Sequence, residues 1–293
     1  MKPRHSLLLC LVTLSLAGQA FGDSCQYSKD LLQEVDADGI DLAKLNALAG
    51  DLVVSGIAEG NSITIRGKAC TDTEKHLEEM DLDVERDGSS VTITVIIPSS
   101  ISSGWNTEYA YMDLDVDLPQ SPPIEIRDSS GNMDLSSASV TSIDDSSGRI
   151  RFRNGRADLV LHDSSGNIVI TRLNGNISLT DSSGNIRIRE IEGDVHIRRD
   201  SSGEIDISHA AKDVVIDRDS SGGIDINQVG GTVTIGRDGS GSIHVSNVSE
   251  HVRIGSDGSG SIQVADVGGD FTVKAKGSGQ VRSKRVEGVV SVP

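Results

Sequence analysis

The sequence predicts an all-β fold: a single-stranded β-solenoid with two short strands per 18–19-residue coil, preceded by an irregular N-terminal capping part. Three observations lead there. A four-residue turn motif recurs at nearly constant spacing, aliphatic and polar residues alternate strictly between the turns, and aromatic residues make up only 2% of a chain that is 36% hydrophobic. A core without rings, joined by 32 Gly in 293 residues, describes short β-branched strands and tight turns better than a conventional enzyme domain.

Residues 1–22 read as a secretory signal peptide. Lys2 and Arg4 open it, Leu7 to Leu16 form an apolar stretch, and Ala17 to Gly22 are mostly small. The apolar run is too short to span a bilayer comfortably, and no later segment is long enough. The expectation is therefore an exported, soluble chain with no transmembrane segment, in the periplasm or at the cell surface. Cys10 leaves with the signal, and Cys25 and Cys70 remain as an even pair that predicts one disulfide. A lipid-anchored Cys25 is the weaker alternative, because Gly22-Asp23-Ser24 lacks the apolar residue such a site needs. Two thiols without clustered His do not make a zinc site.

Residues 23–127 are read as an irregular β-rich part that covers and starts the solenoid. Ile40 to Leu45 followed by Gly50 to Val54 already has the coil pattern, and Ile63–Ile65, Val91–Val95 and Met112–Leu118 supply further strands. Thr71-Asp72-Thr73-Glu74 has the spacing of a capping box for one short helix reaching Glu79. Residues 99–106 and 120–123 are loops.

Residues 128–293 are read as regular repeats. Asp-Ser-Ser-Gly begins at Asp128, Asp145, Asp163, Asp181, Asp200 and Asp219, becomes Asp-Gly-Ser-Gly at Asp238 and Asp257, and ends as Lys-Gly-Ser-Gly at Lys276. The intervals are 17, 18 and 18 residues, then 19 five times. After the Gly comes an alternating strand such as Asn167-Ile168-Val169-Ile170, and nine residues on a second Gly opens another, Asn176-Ile177-Ser178-Leu179. Four aliphatic columns follow, headed by Ile168, Ile170, Ile177 and Leu179 and closing near Val281, Val264, Val290 and Val292. A fifth column, from Leu173 to Val286, fills the bend. Equivalent residues stacked at about 4.8 Å would make nine coils roughly 43 Å long. Antiparallel hairpins are the alternative, but they would not need one fixed turn motif at every second strand.

Repeated Gly-x-Ile/Val-x-Ile coils with Asp-Ser-Ser-Gly turns, an exported start, and Ala49-Gly50-Asp51-Leu52 leading into Gly67-Lys68-Ala69-Cys70 together resemble the bacterial "putative adhesin" β-strand-repeat family over roughly residues 36–293. The resemblance implies a β-solenoid envelope protein. The family, a domain of unknown function, has no catalytic residues to carry over.

Charge narrows the function classes. There are 27 Lys+Arg against 44 Asp+Glu, a net charge of −17, and loss of residues 1–22 takes it to −19. Neither a nucleic-acid phosphate backbone nor an anionic lipid surface is a natural partner for such a chain. The eight column aspartates, Asp128, Asp145, Asp163, Asp181, Asp200, Asp219, Asp238 and Asp257, are read first as turn caps that accept amide hydrogens from the following Ser and Gly. Arg127, Arg199, Arg218 and Arg237 precede their Asp residues and would dilute the charge. A row of Ca²⁺ ions is the alternative, although the Gly-Gly-x-Gly-x-Asp pattern of calcium β-rolls is absent. No cofactor is otherwise expected. Asp113, Asp115 and Asp117, like Asp81, Asp83 and Glu85, alternate as a solvated strand face does; a carboxylate pair for glycoside hydrolysis would need a cleft. The histidines 162, 196, 209, 244 and 251 form no ligand pair, and the Gly-Ser-Gly-Ser stretches are coil turns without a base or oxyanion pocket. No catalytic or metal-ligating residue is assigned.

Trp105, Tyr109 and Tyr111 are read first as a plug in the first coil; as an aromatic platform for sugar they are the best localised binding candidates. Lys274, Lys276, Arg282, Lys284 and Arg285 give the last coil a basic tip that discourages edge stacking or docks an acidic partner. The leading functional expectation is a non-catalytic, adhesin-like binding or structural element of the cell envelope with an unspecified protein or glycan partner. A calcium-dependent module and a polysaccharide-active enzyme on a β-helix scaffold are the alternatives.

Overall fold

The computed structural model describes residues 25–58, 60–98 and 109–293; the stretch read as a signal peptide and Trp105 lie outside these residues. The chain is an all-β solenoid. Two 13-stranded sheets face each other across a single aliphatic core, and each coil contributes one strand to each sheet.

The first nine strands are β1 (Tyr27–Asp36), β2 (Leu42–Ala49), β3 (Leu52–Ile57), β4 (Ser62–Thr71), β5 (Asp81–Asp87), β6 (Ser90–Ile96), β7 (Ala110–Pro119), β8 (Ile124–Ser130) and β9 (Met133–Ser136), with helix α1 (Glu74–Glu79) between β4 and β5. From β8 onward the ladders are parallel, with register shifts only at Val140/Ser142 and Leu179/Thr180 among the ladders beyond β8. Ile168 lies beside Ile150 and Ile186, Ile205 beside Ile224, and Ile243 beside Ile262. In the facing sheet Val195 lies beside Val214, and Val233 beside Val252. Alternation places these aliphatics inward and their polar neighbours outward, so the aliphatic columns read from the sequence are the core. β-branched side chains suit that stacking because their restricted χ1 keeps each ladder flat.

The N-terminal part has a different order. The winding β2–β3 is early in the chain, yet it lies between the winding β6–β7 and the winding β8–β9: β2 pairs with both β6 and β8, and β3 with both β7 and β9. Beyond β6 and β7 the pairing turns antiparallel. β5 closes one sheet, and β4 followed by β1 closes the other. α1 carries the chain from β4 to β5, packing on β4 and β1 with His76 and Met80 buried beneath it. Its N-cap is Thr73, whose hydroxyl accepts from His76 N at 3.3 Å, two residues after the Thr71 that the capping-box spacing suggested. Thr71 instead accepts from Thr73 N, ahead of the helix.

The Cys25–Cys70 disulfide ties the start of β1 to β4, with a Cα–Cα distance of 5.6 Å. At the other end the expectation of burial fails for the last coil. Val290 is 45% and Val292 42% exposed, and Val281 and Val286 are half-buried, because strands 281–286 and 290–291 have a neighbouring strand on one side only.

Candidate functional site

The most organised polar feature is the corner where the chain crosses from one sheet to the other through Asp-Ser-Ser-Gly. Each residue of the motif has a physical reason. The Gly sits at positive φ, between +128° and +144° from Gly131 to Gly260, a region that L side chains rarely adopt. It also stacks on the Gly of the coil before it, so a Cβ on Gly166 would lie 1.6 Å from the carbonyl oxygen of Gly148. The second Ser donates its hydroxyl to the carbonyl of the first Ser one coil back, as from Ser147 to Ser129 at 3.1 Å and from Ser183 to Ser164 at 3.2 Å. The hydroxyl ladder runs as far as Ser221, which donates to the Ser201 carbonyl at 3.1 Å, and the second position then changes to Gly at Gly239 and Gly258. From that change on, the strands Val233–Ser240, Val252–Ser259 and Phe271–Ser278 run on through the motif.

The eight column aspartates point inward and are buried, with exposures from 0% to 6%. Five of them accept a following Ser amide: Asp128 from Ser129 at 2.8 Å, Asp145 from Ser147 at 3.2 Å, Asp163 from Ser165 at 3.1 Å, Asp181 from Ser182 at 2.6 Å and Asp200 from Ser202 at 3.2 Å. All five leave Oδ2 buried without a hydrogen-bond partner, and at Asp219 and Asp238 neither oxygen has one. Burial pushes the carboxyls up, to about 7 at Asp128, Asp181 and Asp219 and about 6 at Asp145 and Asp238. The neighbouring carboxylates add to the shift, and the Ser amides oppose it.

Arg127, Arg199, Arg218 and Arg237 turn outward into solvent, and among the described residues no salt bridge joins them to the column. The cation that reaches the column is Lys276, at the ninth motif. Its side chain is 5% exposed, and its ammonium bonds the Asp257 carboxylate together with the carbonyls of Gly260, at 2.9 Å, and Ser278, at 2.8 Å. Lys276 therefore belongs to the interior of the corner and not to the basic tip in which the sequence reading placed it. Among the described residues no three His, Cys, Asp or Glu side chains come together as a metal site.

The outer surface is varied. Asp115 is exposed and Asp113 and Asp117 half-buried on the outer face of β7, between the buried Leu114, Val116 and Leu118, and Arg66 of β4 pairs with Asp117 at 2.8 Å and Asp115 at 3.5 Å. Tyr111 shares that outward face, between buried Ala110 and Met112, and stacks on Tyr109 with ring centroids 6.2 Å apart. These two rings therefore decorate the surface and do not plug the core. An open groove of 680 Å³ crosses β1, β4, β7 and β3; exposed Leu32 and Val53 line it beside Arg66, Lys68 and Asp115. The sequence reading missed this groove, because it arises from the antiparallel pairing of β1 and β4 against the first windings. It also missed the ladder at the opposite corner, where Asp194 N bonds Asn176 Oδ1 and Asp213 N bonds Asp194 Oδ1.

No protein-family model matches the chain, and no curated protein matches it. Solved structures do resemble it. A protein from Parabacteroides distasonis ATCC 8503 described as a "putative lipid binding protein" is 17% identical, with a TM-score of 0.45 over 90% of this chain and 96% of that one. A "putative adhesin" from Parabacteroides merdae ATCC 43184 is 13% identical, with a TM-score of 0.39 over 90% and 96%. A "putative cell adhesion protein" from Clostridium sporogenes ATCC 15579 is 13% identical, with a TM-score of 0.33 over 91% and 99%. These superpositions are loose.

Proposed function

We propose that the chain is an exported, non-catalytic β-solenoid acting as a binding or structural rod of the cell envelope, engaging a protein or glycan partner through its outer faces. One observation carries this reading. A single aliphatic cluster fills the space between the two sheets from Leu31 to Val273, so the interior has no room for substrate and recognition falls to outward-facing side chains. The Cys25–Cys70 bond supports an oxidising compartment, in keeping with the signal-like start. No helix among the described residues is long and apolar enough to cross a membrane. The groove around Leu32 and Val53, with its charged rim, is the part of the surface best shaped to hold a partner.

The test is capture from envelope fractions and glycan arrays with the immobilised chain, compared with a Leu32→Glu/Val53→Glu variant. A saturable protein or glycan ligand that the variant loses supports the reading. Turnover of a polysaccharide by the wild-type chain would overturn it.

A further inference from the structure

We propose that the aspartate corner is a proton-loaded spine: most of its carboxyls are neutral acids in the folded rod below about pH 6, and unfolding releases their protons. The geometry demands a neutralising agent. Eight carboxyls occupy equivalent positions in successive coils, as in the pairs Asp200–Asp219 and Asp238–Asp257, so neighbours are held about 5 Å apart in a buried corner. The groups that face them are mostly further acids. Asp51 lies toward Asp128, Asp144 toward Asp145, and each column member toward the next. The Ser amides satisfy one oxygen of five of the residues and leave the other as an orphan acceptor. A proton answers both problems, because it removes the charge and converts the orphan acceptor into a donor.

Lys276 shows how the column ends when it does carry charge. At the ninth level the chain replaces the acid with an ammonium seated against Asp257 and two carbonyls, so the terminal carboxylate has an internal counter-ion where the others have none. The sign of the pH dependence follows. The column carboxyls from Asp128 to Asp238 titrate above the ordinary carboxylate range because they are buried, so the stability they permit is fully present below about pH 4 and is lost as pH rises through 6 to 7.

The experiment uses the exported chain and an Asp181→Asn/Asp200→Asn variant, which keeps the shape of two central side chains but cannot ionise. Three results are expected. Refolding at pH 6 takes up about four protons per chain, read with a pH indicator. The infrared spectrum of the folded protein at pH 6 contains a buried carboxylic-acid carbonyl band, weaker in the variant. Wild-type Tm falls between pH 5 and pH 8, and the variant falls less and melts higher at pH 8. Absence of both the acid band and proton uptake overturns the proposal. So does a wild-type melt at pH 7 that calcium raises and EDTA lowers with no acid band, an outcome that assigns the corner to metal ions. If the variant does not fold, the band and the proton count on the wild-type chain still decide.

Discussion

Adding a single methyl group to the glycine stack should split the rod at one corner. Gly203 has φ +133°, and a Cβ there would sit 1.8 Å from the carbonyl oxygen of Gly184. An ordinary carbon–oxygen contact is a little over 3 Å, so Gly203→Ala must force neighbouring corners apart by more than 1 Å. The bonds Gly203 N to Ser221 O, at 3.2 Å, and Gly184 N to Ser202 O, at 3.1 Å, lie in the path of that shift. Losing both costs roughly 1–3 kcal/mol, and the backbone strain of a side chain in this region adds about 1–3 kcal/mol. With opening of the adjacent Ile205 and Ile186 layers, the total reaches roughly 4–6 kcal/mol. Gly88, in the turn between β5 and β6, is the matched control: φ is +61° and nothing lies within 4 Å of its missing Cβ. Gly88→Ala should therefore cost only the backbone part, about 1–2 kcal/mol. Urea denaturation followed by far-UV circular dichroism gives both values, and limited proteolysis locates the break, expected within residues 201–204. Equal destabilisation by the two substitutions would refute the claim that the turns stack directly on one another.

Other expectations follow from the same structure. Ile207→Ala, in a fully packed layer, should destabilise by about 2–4 kcal/mol, whereas Val290→Ala, 45% exposed, should cost well under 1 kcal/mol on the same denaturation curves. Gln228 has φ +59°, so Gln228→Gly should raise stability by about 1 kcal/mol; a loss would mean that the left-handed corner is not populated in solution. Replacing Cys25 and Cys70 with Ser opens a 45-residue span and should cost about 4 kcal/mol, with faster hydrogen exchange confined to β1 and β4.

The regular windings were legible because a solenoid writes its geometry into one dimension: a residue's spatial neighbour is its sequence equivalent one period away. Ile168, Ile186 and Ile205 announce their contact by spacing alone. The order of the first windings has no such signature. Residues 42–57 have the coil pattern, but nothing local says that their neighbours are residues 90–119 on one side and 124–136 on the other. The left-handed residue of the second corner was hidden for a different reason. One residue per coil is left-handed, from Ser137 and Asn154 through Arg172, Glu190, His209 and Gln228 to Asn247, Asp266 and Arg285. Asn154, His209, Asn247 and Asp266 are types that tolerate this conformation, whereas Arg172 and Glu190 hide it. For the aspartate corner the motif revealed the capping, but burial of the carboxyls depends on which way the turn folds over the core. That direction also converts Lys276 from a surface charge into an internal counter-ion.

The displaced winding β2–β3 has a consequence for biogenesis. Emerging from the ribosome, this winding cannot find its first flanking winding until residues near 119 have been made, nor its second until residues near 136, so the amino-terminal end must assemble as one cooperative knot. The later coils can then zip on singly, each templated by its predecessor. Evolution can thus lengthen or shorten the distal end by whole periods, while any insertion or deletion among the first windings disrupts an interlocked closure.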